Sequence, residues 1–188
     1  MHQIRDDDLL LRFARIIAAD GYDRGLQPVQ WQALKYLAAA NRFSRTATAL
    51  AAWLDQTKGS VSQTINALEK KGLVSRHQNP DDQRVVRLEL TDVGRACVHA
   101  PPPSVAATML SHLPPGARDQ FMRHVARMLI GAIKEQDGRP FGQCRSCKYF
   151  ERAKKRGGFH CAALDVPLTD EDSRHICYEH AAHPGEAA

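Results

Sequence analysis

Apolar residues recur at helical spacing from the start of the chain. Leu9, Leu10, Phe13, Ile16 and Ile17 form one stripe that stops at Asp20-Gly21 and leaves Arg12 and Arg15 on other faces, which predicts an amphipathic helix. Pro28 suits the first turn of a second helix carrying Trp31, Leu34 and Leu37. A third runs from about Thr46 to Asp55, with Leu50, Trp53 and Leu54 directed inward, and both tryptophans are read as core. Only Gln56 separates Asp55 from Thr57, the cap of a fourth helix whose end is marked by Lys70, Lys71 and Gly72. At 100° per residue, Val61, Ile65 and Leu68 share one face, while Gly59, Gln63, Asn66 and Lys70 lie opposite, with Ser62 on the flank.

Past Gly72 the period shortens. In the run LVSRH, a turn-rich NPDDQ and RVVRLEL, residues Val86, Leu88 and Leu90 alternate with Arg87 and Glu89, which predicts a β-hairpin. Thr91 caps a further helix, TDVGRACVHA, which Pro101-Pro102-Pro103 must interrupt because consecutive prolines remove donors and clash with the preceding turn. Helical stretches follow from Ser104 to Leu113 and, after Pro114-Pro115, along a longer segment with Phe121, Val125, Met128, Leu129 and Ile133. These carry more apolar residues than solitary helices need. GRPFG then reads as a hinge.

The pattern divides the chain into an N-terminal helix (1–25), a helical region closed by a hairpin (26–92), C-terminal helices (93–137) and a cysteine-rich module with its tail (138–188). The expected fold is mainly α with a small β-hairpin wing. A length of 188 residues is too short for two large enzyme domains, and 43% hydrophobic with 25% charged residues excludes wholesale disorder and collagen-like repeats. The net charge of +5 suits an acidic partner but is a weak clue. The N-terminus MHQIRDDDLLLRF lacks the basic start of a secretory signal, and no apolar run approaches the roughly 18 residues of a membrane span, so a cytoplasmic location is expected. No phosphate loop, paired catalytic carboxylates or nucleophile–base constellation is found, and no enzymatic activity is expected.

Three short helices, the last two joined by a tight turn, followed by a hairpin with a basic tip, make a winged helix-turn-helix, a device for reading DNA. On the fourth helix, Gln63 and Asn66 carry amides able to pair with adenine, and Thr57, Lys58, Ser60 and Ser62 can reach phosphate or base edges. Gly59 permits close approach. At the wing, Arg84 is long enough for a minor groove, with Asp82 to hold it, and Arg76 and Arg87 can contact phosphate.

The stretch from Pro28 to Gly94 closely resembles the MarR family of bacterial transcriptional regulators. The resemblance rests on the run Leu68 to Val74 with Arg76, the wing pair Asp82 and Arg84, and the exit Leu88, Leu90, Thr91 and Gly94. It implies a homodimer with interlocked terminal helices, each winged domain reading half of a pseudo-palindromic operator on double-stranded DNA, and a small-molecule effector. The triple proline departs from the family, whose members usually run one long helix from the winged domain into the dimer core.

Four of the five cysteines fall in the last quarter, spaced Cys144-x2-Cys147-x13-Cys161-x15-Cys177. A Cys-x2-Cys turn delivers two thiolates to one site, and two later cysteines complete four-coordination. The solitary third and fourth ligands favour an iron–sulfur cluster, [4Fe-4S] before [2Fe-2S], with one Zn2+ per chain as the alternative. The segment also resembles the high-potential iron–sulfur proteins, with Tyr149 and Phe150 at the aromatic position. His160 and His175 are read as supporting or solvent-facing, His180 and His183 as frayed tail, and Arg152, Lys154, Lys155 and Arg156 as a solvated basic loop. Cys97 is read as a small core residue.

The expected function is DNA-binding regulation modulated by the cluster, in response to redox state, oxygen, nitric oxide or iron supply. A ligand-responsive repressor with structural zinc is one alternative, and an electron-transfer or enzyme-accessory protein is another.

Overall fold

The computed structural model describes residues 4–19, 25–78, 85–101, 104–135, 138, 141–152 and 158–183. Helix α1 (Asp6–Ala18) opens the chain, followed by α2 (Pro28–Ala39), α3 (Ala47–Leu54) and α4 (Lys58–Lys70). Strands β1 (Val74–Gln78) and β2 (Val86–Leu90) pair antiparallel, from Val74 opposite Leu90 to Gln78 opposite Val86, and form the expected wing. Helices α5 (Asp92–His99), α6 (Val105–Ser111) and α7 (Ala117–Glu135) follow.

The boundaries have local causes. Pro28 opens α2, and Thr46, Thr57, Thr91 and Ser104 cap α3, α4, α5 and α6 by accepting the N–H three residues on. The tight turn between α3 and α4 places Asp55 in the left-handed region, at φ 50°. Helix α4 ends in a Schellman motif: Gly72 takes φ +67°, its N–H donates to Glu69, and the Leu73 N–H reaches back to Leu68. Helix α5 stops at His99 just before Pro101, as the proline run requires.

One core unites these elements. Trp31, Leu34, Tyr36 and Leu37 of α2 meet Leu50 of α3, Val61, Ile65 and Leu68 of α4, and Leu88 and Leu90 of the wing, all buried. Each fully buried apolar side chain of this size contributes roughly 1.5–3 kcal/mol. Val86, the outermost of the alternating wing residues, is 41% exposed. Trp53 corrects its reading as core: it is 42% exposed, its ring lying against Tyr36 at 5.3 Å and receiving Phe141 edge-on at 5.0 Å.

The last quarter folds from short pieces. Strand β3 (Gly142–Gln143) leads into a 3-10 turn, Cys144–Ser146; a three-stranded antiparallel sheet follows, made of β4 (Phe150–Arg152), β5 (Phe159–Cys161) and β6 (Val166–Leu168). Helix α8 (Asp170–Arg174), capped by reciprocal hydrogen bonds between Thr169 and Asp172, precedes β7 (Ile176–Cys177), which pairs with β3.

This unit is clamped to the winged domain. The segment 40–46 between α2 and α3 receives it: the Asn41 N–H donates to the Ile176 carbonyl (2.8 Å), the Tyr178 N–H to Ser44 Oγ (2.8 Å), and Arg42 pairs with Asp172 (3.1 Å) while reaching the Pro167 carbonyl. Phe141, read as part of a hinge, is an anchor: its ring meets Tyr36, Trp53 and Tyr178 at 5.0–6.1 Å. The hinge reading failed because an aromatic residue between glycines finds a surface aromatic pocket on another domain, which local composition does not show.

Helices α1 and α7 bury no residue of their own in the single chain. Leu9, Leu10, Leu11 and Ile16 on α1, and Met122, Val125, Met128, Leu129 and Ile130 on α7, are exposed. Among the described residues no helix is long and apolar enough to cross a membrane.

Candidate nucleic-acid interface and cysteine centre

Helix α4 turns Val61, Thr64, Ile65 and Leu68 into the core and leaves Lys58, Gly59, Ser60, Ser62, Gln63 and Asn66 exposed, as its periodicity dictates. At its start, Thr57 Oγ1 accepts the Ser60 N–H (3.2 Å) and lies 3.0 Å from the Ser60 hydroxyl, so the two candidate phosphate contacts form one polar corner. Nothing in the fold requires glycine at Gly59, where an added Cβ would meet only Thr57 Oγ1 at 3.9 Å. The surface there is open to close approach, and the nearby helix N-terminus favours anions.

Asn66 and Arg76 are tied together. The Arg76 guanidinium donates to Asn66 Oδ1 (2.6 Å) and pairs with Glu69, linking the wing's first strand to the end of α4. A bidentate contact from Asn66 to adenine therefore shares or breaks its bond to Arg76. Arg87 lies half-buried on β2, opposite His77 across the hairpin, and bridges by its backbone to Thr46. Asp82 and Arg84 of the wing tip lie outside the described residues, as do Lys154, Lys155 and Arg156; Arg152 is exposed on β4.

In the C-terminal unit, Cys144 and Cys147 flank one 3-10 turn, closed by the Cys147 N–H on the Cys144 carbonyl at 3.0 Å. Cys177 on β7 and Cys161 at the end of β5 join Cys144 in a small core with Leu168, Phe43, Phe150 and Phe159. Cys144, Cys147 and Cys177 are buried, Cys161 half-buried, and the five cysteines are free thiols. Cys97 packs, half-buried, against the main core, in keeping with its reading.

Two N–H groups point at sulfur: Asn41 Nδ2 donates to Cys144 Sγ (3.3 Å) and the Ala181 N–H to Cys147 Sγ (3.5 Å). The Cys144 thiol donates in turn to Cys177, lowering the Cys177 pKa to about 6 and raising that of Cys144; Asn41, the Glu179 backbone and Ser44 add to the stabilisation of the Cys177 thiolate. Cys177 is thereby drawn toward the thiolate while Cys144 is held as the thiol, and the N–H bonds to the Cys144 and Cys147 sulfurs are of the kind a thiolate-ligated metal group receives. Among the described residues, no three His, Cys, Asp or Glu side chains converge closely enough to hold a single ion.

His180 was read as frayed tail. It is half-buried instead, because its ring covers Gly142, where an added Cβ would sit 2.6 Å from the imidazole. Its Nε2 lies 3.1 Å from Ser146 Oγ, and Nδ1 is buried without a hydrogen-bond partner among the described residues. His160 lies 3.2 Å from the Asp165 carboxylate, and His175 caps the end of α8. Sequence reading also missed the receiving surface of Asn41, Arg42 and Ser44. Its one signal was the short, mostly polar stretch NRFS, too short to be a domain boundary yet placed between two helices.

Residues 24–85 match the sequence model of the MarR family. A protein of Thauera aromatica named as a transcriptional regulator for the hcr operon is 32% identical over 96 residues, covering 51% of this chain and 49% of that protein. The uncharacterised HTH-type transcriptional regulator YdcH of Bacillus subtilis is 47% identical over 45 residues, 24% of this chain and 31% of that protein. The chain thus spans about half the length of the first and about a third of the second. Among solved structures, the MepR–DNA complex of S. aureus superposes with a TM-score of 0.58 at 21% identity, over 69% of this chain and 99% of that one. A transcriptional regulator from Pseudomonas aeruginosa gives 0.52 at 24% identity, over 66% and 96%. These structural likenesses establish the winged-helix fold.

Proposed function

Proceeding from a winged helix of the MarR family over residues 24–85, we propose that this chain is a homodimeric, sequence-specific DNA-binding transcriptional regulator. In this reading its C-terminal cysteines hold an iron–sulfur cluster whose state sets DNA affinity. The matched family and the named relatives are transcriptional regulators, not enzymes. The observation that carries the reading is the placement of the cysteine centre directly on the segment 40–46 that joins the first two helices of the DNA-reading domain.

The parts divide the work. Thr57, Lys58 and Ser60 bind phosphate at the positive end of α4, and Ser62, Gln63 and Asn66 face base edges in a major groove. Arg76 and Arg87 brace the wing toward the backbone. A second copy of the chain covers the exposed apolar faces of α1 and α7, so that two recognition helices meet a pseudo-palindromic site about one helical turn apart, roughly 34–36 Å. Cys144, Cys147, Cys161 and Cys177 would hold the cluster, with [4Fe-4S] favoured by the solitary third and fourth ligands. When bound, the cluster supplies a charge that changes with its oxidation or loss.

The test is anaerobic purification followed by absorbance and elemental analysis, then binding to duplexes selected by the protein from a random-core library. Brown protein with iron and labile sulfide, and affinity that falls with salt, is expected. Colourless protein with one zinc per chain overturns the cluster, and absence of any selected sequence overturns specific DNA binding.

A further inference from the structure

Val74 and Arg76 lie on one face of β1, opposite Leu90 and Leu88 of β2. Val74 enters the core, while Arg76 passes the rim of that core, stays exposed and runs its long side chain back across the C-terminal half of α4. There it meets Asn66 and Glu69, which the helical period places side by side on one exposed face. The guanidinium donates to Asn66 Oδ1 (2.6 Å) and pairs with the Glu69 carboxylate.

The chemistry of the partners fixes which end of the Asn66 amide is used. A guanidinium carries N–H donors and no acceptor, so only the amide oxygen can face it. The oxygen is thereby taken, and the Nδ2 amino group is the end left for a base edge. A two-point contact of asparagine with adenine needs both ends, the oxygen to accept from N6 and the amino group to donate to N7. A second donor at Oδ1 would have to lie beside a guanidinium already bound there. Guanine instead offers two neighbouring acceptors, N7 and O6, and no donor, which suits an amino group alone. Glu69 meanwhile answers the charge of Arg76, which weakens its pull on a phosphate.

We propose that Arg76 and Glu69 are positioning residues that hold the Asn66 amide with its amino group toward DNA, and that Asn66 consequently selects guanine rather than adenine at the base it meets. This deepens the proposed function by naming a base preference of α4, and rests on it. The sequence alone suggests adenine for Asn66 and phosphate for Arg76; the bond between the two side chains reverses the first and redirects the second. Base choice by α4 then depends on a residue of the wing, because the group that orients the amide sits on β1.

The measurement is Kd on a duplex selected by the protein from a random-core library, with the base pair exchanged at each position in turn and titrations at several salt concentrations. Asn66→Ala marks the position in question as the one where discrimination disappears. There the wild type should prefer guanine over adenine by at least about fivefold, the low end for one base contact. Asn66→Asp keeps an acceptor for Arg76 and removes only the N–H donor, so thermal stability should be retained while that preference falls to within about twofold of none. The charge-balanced double variant Glu69→Gln with Arg76→Ala frees the amide to turn. In it adenine should match guanine to within about twofold, with the slope of log affinity against log salt unchanged. A purely structural tie between wing and α4 would lower the thermal stability of the double variant and leave base preference where it was. The inference alone is overturned if Asn66→Ala marks no position, if the wild type prefers adenine there, or if the preference survives Asn66→Asp or stays with guanine in the double variant. A slope lower by about one unit in the double variant assigns Arg76 to phosphate and overturns it too. Where the double variant does not fold, Asn66→Asp decides. A wild type that selects no sequence overturns specific DNA reading itself, and the inference with it.

Discussion

A methyl group at Gly94 would lie 2.1 Å from the Leu73 carbonyl oxygen, inside any van der Waals contact, so α5 rests on the backbone that follows α4. Because the clash is with backbone rather than a flexible side chain, Gly94→Ala should destabilise the fold by roughly 2–3 kcal/mol, read as a lowered midpoint of thermal unfolding. Gly72 was legible in the sequence because its demand is local to a helix cap, whereas Gly94 entered only through the family motif, since its close approach is to the Leu73 backbone in another part of the chain. Asn41 was not legible, because its partner lies on the other side of the chain. His180 was misread for a similar reason, since proximity to the C-terminus concealed its packing on Gly142. Burial lowers the His180 pKa from its ordinary value of 6.5, with His183 adding to the shift. The folded chain therefore binds this proton less readily than the unfolded chain. The stabilisation is complete above about 6.5 and is withdrawn as pH falls through and below that value. Melting between pH 7 and 5 should show that decline, and His180→Gln should flatten it; an identical pH profile in the variant would remove His180 as its source.

At the scale of elements, the helices were legible because a period of 3.6 over eight or more residues separates the buried from the exposed face. The wing was legible because Leu88 and Leu90 alternate with charged residues. The C-terminal strands were not, since runs of two or three residues are too short to show a period of two. For α4 the exposed face carries the next expectation. Lys58 lies in the first turn and is exposed, so Lys58→Ala should weaken binding about equally across sequences and reduce the slope of log affinity against log salt by about one unit. Gln63→Ala should instead cost about 1–3 kcal/mol on the preferred duplex alone and relax the choice of base at one position. Binding titrations at several salt concentrations on matched and single-mismatch duplexes separate the two.

For the whole molecule, the apolar character of α1 and α7 was visible in the sequence, but its use is not completed within one chain. Leu129 is 58% exposed on α7. If a second copy covers that face, Leu129→Glu places a charge in the interface, and sedimentation should show a shift toward monomer with weakened binding to a two-half-site duplex. A variant that remains dimeric would direct the search for the interface elsewhere. The cysteine-rich character of the last quarter was visible in the sequence; its clamp onto the winged domain was not, because Phe141, Tyr178 and Arg42 acquire their roles only from tertiary neighbours. The clamp also bears on biosynthesis. Ser44 receives the Tyr178 N–H across 134 residues of chain, so a ribosome releases α3 and α4 long before it releases the segment that completes the turn ahead of them. The nascent winged domain emerges with its amide at Asn41 unmatched and its aromatic pocket open. Translation to the last cysteine thus acts as a timer, withholding the finished turn between α2 and α3 from any chain cut short before the cysteine unit is made.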